Sequence, residues 1–189
     1  SAAFFLVAAC LGAREPFTIR DVGVNPTRTG TLEMLALMGA DLRLVNHRNF
    51  GREPVADIEV RPSRLKGAHI PERLVPLAID EFPALFVAAA CAEGETLVTG
   101  AEELRVKESD RIAAMARGFE ALGVQHEALA DGMRIVGGNP FRGGTIDSRG
   151  DHRIAMAFAV ASLRASAPIE ILDVANVATS FPGFDLLAN

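Results

Sequence analysis

Three runs of alanine and large apolar residues recur along this chain, and they constrain its fold more than any other feature. They are residues 1–11 (SAAFFLVAACL), 82–92 (FPALFVAAACA) and 154–163 (IAMAFAVASL). Each is apolar nearly all the way round, so as a helix it has no solvent face and must be buried. The rest of the chain then has to assemble around these shared helices.

The surrounding sequence repeats in the same order. A strand-like stretch follows each run after a short turn, at residues 16–24, 95–100 and 169–174. A polar loop comes next, at residues 25–28, 104–110 and 176–182. Then an amphipathic helix starts. The first covers residues 31–39, with Leu32, Leu35 and Met38 inward. The second covers residues 112–123, with Ile112, Met115, Ala116, Phe119 and Leu122 on one face and Gly123 as a stop signal. The third only begins, at residues 184–187. Further strands are expected at residues 41–45, 56–60 and 133–136, the last behind an Asp131-Gly132 turn. The Gly-rich stretch 137–150 reads as a loop within the domain. A period of roughly 75 residues is too long for a solenoid array. It fits three copies of a β-α-β-α-β type of unit, forming a single domain over residues 1–189. The third copy stops early and no initiator Met is present, so the expectation is a piece of a larger enzyme, cut at both ends.

Composition narrows the function. There is no Trp and no Tyr, which argues against base-stacking platforms for nucleic acid. A net charge of -5 argues against a general nucleic-acid or membrane-surface binder. The apolar start is too short to span a bilayer and has no basic leader. Cys10 and Cys91 lie in alanine-rich runs and read as core residues, which suits a reducing, cytoplasmic setting. The scattered His47, His69, His126 and His152 match no zinc spacing. An anion, if one is handled, must be met by locally placed arginines.

Charge is concentrated where helices begin. Residues 103–111 (ELRVKESDR) pack acids, bases and a helix-start signal together, which puts Glu108 and Arg111 in the first turn of the second amphipathic helix. Arg153 likewise sits at the start of the third buried helix, in Asp151-His152-Arg153. A cation at that end opposes the helix dipole, an arrangement best tolerated when an anion lies between it and the free N–H groups. Two such misfits favour a shared anionic ligand. Plainer readings stand beside this one. Residues 107–111 can be a solvated helix start with surface ion pairs. Asp80 and Asp151 can be simple N-caps, Arg153 a salt-bridge partner, His152 a structural hydrogen-bonder and Thr27-Arg28-Thr29 a helix cap.

The segments NPTRTG, MGAD, DEFP, ELRVKESDRI, DHRIAMAF and ATSFP, in that order along nearly the whole chain, resemble the 5-enolpyruvylshikimate-3-phosphate (EPSP) synthase family. The resemblance implies an inside-out α/β (α+β) enzyme of two domains, each made of three β-α-β-α-β-β units. This chain would be most of the C-terminal domain, with the absent N-terminal domain as its partner. The implied substrates are phosphoenolpyruvate and shikimate 3-phosphate, and no metal or organic cofactor is implied.

Carried over by position, the resemblance makes Asp80 the proton acceptor near the shikimate 5-hydroxyl. It makes Lys107 a contact to shikimate 3-phosphate and Glu108 the carboxylate for proton transfer at the enolpyruvyl carbon. Arg111 and Arg153 become the pair that grips phosphoenolpyruvate, a task for which a planar guanidinium suits better than lysine. Thr179 stands where many members carry a lysine, so one cationic contact is missing there or supplied elsewhere. Two alternatives remain: an enolpyruvyl transferase acting on a UDP-amino sugar, and a non-catalytic anion-binding domain. The isolated chain is expected to bind anions weakly and not to turn over.

Overall fold

The computed structural model describes residues 2–184. The three apolar runs form helices α1 (Ala3–Gly12), α3 (Phe82–Cys91) and α5 (His152–Ala161), and all three pack on one another. Phe4, Val7, Phe82, Phe86, Val87, Ile154 and Phe158 are fully or almost fully buried. Alanines between them let the helix axes approach closely. The stretch Glu72–Cys91, whose length and hydropathy alone would suit a membrane span, is mostly buried in this core.

Sheets and amphipathic helices cover the buried helices. Strands β1 (Phe17–Gly23), β2 (Asp41–Phe50) and β3 (Glu53–Arg61) form an antiparallel sheet of order β1-β3-β2. Strands β4 (Gly94–Val98), β5 (Gln125–Leu129) and β6 (Gly132–Gly137) repeat that order as β4-β6-β5. The central strand β3 turns Ala56, Ile58 and Val60 inward. In the third unit β7 (Gly144–Asp147) runs parallel to β8 (Ile169–Leu172) on either side of α5. The second unit has the same crossover, because Lys66 and His69 bridge in parallel to Glu93 and Leu97 around α3. The repeat is thus a β-α-β-α-β-β unit wrapped around shared helices.

The amphipathic helices are α2 (Gly30–Leu37) and α4 (Arg111–Leu122). Ile112, Met115, Phe119 and Leu122 are buried as expected, while Ala116 is only partly so. Gly123 ends α4 in the left-handed region at φ 74°. Gly118 in its middle faces the Phe158 ring, where a Cβ would stand 2.1 Å from the ring tip. In α2, Leu35 points inward with Met34, as does Met38 at its C-cap, and Leu32 packs at the core's margin.

Some expectations need correcting. Residues 144–147 are strand β7 rather than loop; short and glycine-led, the strand is fixed by its parallel partner rather than by its own pattern. Residues 176–182 are largely helix, α6 (Ala175–Ser180), held against α5 by contacts that its poor intrinsic propensity does not announce. Strand β5 was not foreseen because it lies on a sheet edge and has no fully buried side chain. The helix expected at residues 184–187 falls, beyond Phe184, outside the described residues.

Candidate active site

At one end of the three-helix core, segments from two units bring their charges together. Asp80 is the last residue but one of the 3-10 segment Glu72–Glu81, which leads into α3. It is not the N-cap expected of it; Glu81 holds that position, so the Asp80 carboxylate is free to face other partners. Lys107 Nζ lies 3.3 Å from Asp80 Oδ1 and Arg111 Nη1 3.1 Å from the same oxygen. Arg153 Nη1 donates to the Asp80 main-chain carbonyl at 2.8 Å and to Glu81 at 3.2 Å. Lys107 also pairs with Glu103.

Arg111 is the hub. It is the first residue of α4, whose N-cap is Asp110, with Asp110 Oδ1 accepting from Ala113 N at 2.9 Å. Glu108 therefore lies before the helix, not in its first turn, and reaches back to bond Arg111 Nη2. Behind the guanidinium, Nε donates to Asp151 Oδ2 at 2.9 Å. Asp151 is 0% exposed, accepts also from Ser109 Oγ, and caps α5 through the Arg153 N–H. The two arginines at helix starts thus have carboxylate partners already. Asp80 and Glu108 are half exposed, with side chains 48% and 53% accessible, whereas Arg111 and Asp151 are buried.

The electrostatics follow from these contacts. Burial works to raise the pKa of Asp80, but the Lys107 hydrogen bond and the charges of Arg153, Lys107 and Arg111 outweigh it and leave the carboxyl below its ordinary range. Asp151 behaves likewise: burial works to raise it, but the bond and charge of Arg111, with the Ser109 bond, outweigh burial and leave it lowered. The hydrogen bond to Glu103, then that to Asp80, raises Lys107. Burial and then Arg153 depress His152. Among the described residues no group of His, Cys, Asp and Glu is placed to hold a metal ion. A cavity of about 620 Å³ opens beside Arg153, lined also by Arg28, Glu81 and Phe181. A separate apolar groove between α1 and α5 has no titratable lining.

The EPSP synthase (3-phosphoshikimate 1-carboxyvinyltransferase) family profile matches residues 1–186. This chain belongs to the EPSP synthase family. The 3-phosphoshikimate 1-carboxyvinyltransferase of Alkalilimnicola ehrlichii is 65% identical over 188 residues, covering 100% of this chain and 42% of that protein. The Methylococcus capsulatus protein of the same name is 61% identical, covering 100% and 43%. An EPSP synthase structure from Acinetobacter baumannii superposes with a TM-score of 0.95 at 55% identity, covering 100% of this chain and 44% of that one. The enolpyruvyl transferase NikO from Streptomyces tendae shares the fold at a TM-score of 0.75 and 21% identity, covering 98% and 40%. The chain therefore spans less than half the length of these EPSP synthase relatives.

All five residues expected at the site, Asp80, Lys107, Glu108, Arg111 and Arg153, meet in this one cluster. Sequence reasoning missed Asp151 as the buried partner of Arg111 and the partly buried Glu81 as the partner of Arg153. The pairing of residues 111 and 151 spans 40 positions, and no local signal reports it. Thr179 is exposed on α6.

Proposed function

We propose that the protein containing this chain transfers the enolpyruvyl group of phosphoenolpyruvate to the 5-hydroxyl of shikimate 3-phosphate, releasing phosphate. The 189 residues would form one globular domain of that enzyme and bind both substrates against a facing domain. The convergence of Lys107, Arg111 and Arg153 on Asp80 carries this reading. It puts a carboxylate base beside cations suited to phosphate and carboxylate groups.

Arg111 suggests how the site works. Asp151 fixes the guanidinium from the buried side through Nε. The two Nη atoms meet Asp80 and Glu108, which are half exposed and so can be exchanged for a ligand. An incoming phosphoenolpyruvate would take the fork bidentately. Glu108 would thereby be released for proton transfer at C3. Asp80, ionised at neutral pH, would accept the 5-hydroxyl proton as that oxygen attacks C2 and the C2–C3 π pair takes up a proton at C3. The tetrahedral adduct then loses phosphate as a proton leaves C3, with the arginines stabilising the departing charge. In the chain alone the carboxylates already occupy Arg111, which supports weak anion binding and no turnover.

The test is phosphate release by the full-length protein given both substrates. Asp80→Asn should lower kcat about 10²- to 10⁴-fold, the range for loss of a general base. Wild-type release that does not depend on shikimate 3-phosphate would refute the transferase reading.

A further inference from the structure

Arg105 is not among the residues expected to touch substrate, yet each of its three guanidinium nitrogens donates a hydrogen bond. Nη1 donates to Asp110 Oδ2 at 2.8 Å, Nε to the Ala130 carbonyl at 2.6 Å and Nη2 to the Leu129 carbonyl at 2.5 Å. Ala130 lies in the turn between β5 and β6. The same turn also holds the beginning of the site loop. Gly100 N donates to Asp131 Oδ2 at 2.8 Å, and Ala101 N to the Asp131 carbonyl at 2.7 Å. Residues 100, 101 and 105 are thus tied directly to one hairpin, and Asp110 is tied to it through Arg105, so Lys107 and Glu108 lie in the short loop that the Arg105–Asp110 pair closes.

Between the buried Leu104 and the buried Ile112 this loop has little apolar anchorage, since Val106 is 80% exposed. Asp110 serves two partners at once, capping α4 with one oxygen and holding Arg105 with the other. Arg111 is secured independently by Asp151, and Arg153 by Glu81 and the Asp80 carbonyl.

We propose that Arg105 is a positioning residue, which uses the β5–β6 turn as a rigid reference to set Lys107 and Glu108 for the reaction. The proposal rests on the transferase reading. It makes a selective claim: losing the brace displaces the residues facing shikimate 3-phosphate and the C3 proton, and leaves the phosphoenolpyruvate grip intact.

The experiment is steady-state kinetics on the full-length protein carrying Arg105→Gln, Arg105→Lys or Asp110→Asn. Asparagine still caps a helix, so the last variant removes the charged tie while keeping the start of α4. Displacement of reacting groups by about 1 Å can cost 10²-fold, so Arg105→Gln and Asp110→Asn should lower kcat about 10- to 100-fold. The KM for shikimate 3-phosphate should rise while that for phosphoenolpyruvate stays within about twofold, because its two arginines keep their own anchors. Lysine keeps the charge but not the fork, so Arg105→Lys should fall between. Unchanged kcat in both Arg105→Gln and Asp110→Asn would overturn the proposal. So would both KM values rising together with a lower melting temperature, the signature of a purely structural role. An inactive wild type would instead bring down the transferase reading, and this proposal with it.

Discussion

Replacing Arg111 with methionine isolates what the buried hub contributes. The substitution removes a cation that faces three carboxylates. Two of these, Asp80 and Glu108, are half exposed, and water can solvate them once the arginine is gone. Asp151 cannot be rescued that way, because it is 0% exposed. Breaking a buried pair costs about 3–5 kcal/mol. The Ser109 hydroxyl and Arg153 N–H still bond Asp151, so the lower end of the range, about 3 kcal/mol, applies. Urea unfolding read by far-UV circular dichroism measures it, since the chain has no Trp for fluorescence.

The pH dependence separates this cause from simple loss of packing. With Arg111 present, Asp151 has a lowered pKa, so its contribution is complete above the ordinary value of 3.8 and fades only as pH falls through the lower folded value. Between pH 5 and 8 the wild type is therefore flat with respect to this group. In Arg111→Met the carboxyl is buried without its cation, so its pKa rises and the folded state takes up a proton as pH falls. The cost should shrink from pH 8 to pH 5, and adding Asp151→Asn should recover about 1–2 kcal/mol of it. A cost below about 1 kcal/mol, as for a surface pair, would refute the reasoning. So would an equal cost at the two pH values.

Other outcomes follow from particular residues. Gly118→Ala should destabilise by about 1–2 kcal/mol in thermal or urea unfolding, because overpacking against buried Phe158 outweighs alanine's helix preference. Arg153→Ala in the full-length protein should raise the phosphoenolpyruvate KM about tenfold or more, the worth of a hydrogen bond to a charged group, measured by the same phosphate-release assay. Asp80 lies below its ordinary value of 3.8 in the fold, so it stays ionised from pH 6 to 9 and the rate profile should show no acid limb from it there. Burial pushes the Cys10 and Cys91 thiols up to about 11 and about 12, so the native chain should react with a disulfide reagent at pH 8 far more slowly than the unfolded chain.

How far the sequence reveals this molecule depends on the range over which each feature is specified. The buried helices were legible because an all-round apolar run of ten residues has only one comfortable environment. Helix α4 was legible from its apolar face and its Gly123 stop, but its start was misplaced, because the cap is Asp110 and Glu108 precedes it. Strands β5 and β7 were not, because their edge pairing supplies what their side-chain pattern lacks. The five residues expected at the site came from motif and order, and folding brings them into one cluster, but it also changes the partners of two of them. Arg111 and Arg153 looked like misfit cations awaiting an anion, whereas carboxylates distant in sequence already hold them. Periodicity reports what a segment buries; it is silent on which charge another segment brings.

The most direct measurement is to run the full-length protein with phosphoenolpyruvate and shikimate 3-phosphate in D₂O and read the product by NMR. If addition puts a solvent proton on C3 and elimination removes one, the expected product is an enol ether carrying deuterium in its methylene group, formed with release of phosphate. Phosphate released without an enol ether, or an enol ether whose methylene carries no deuterium, would contradict the assignment of this site to addition and elimination.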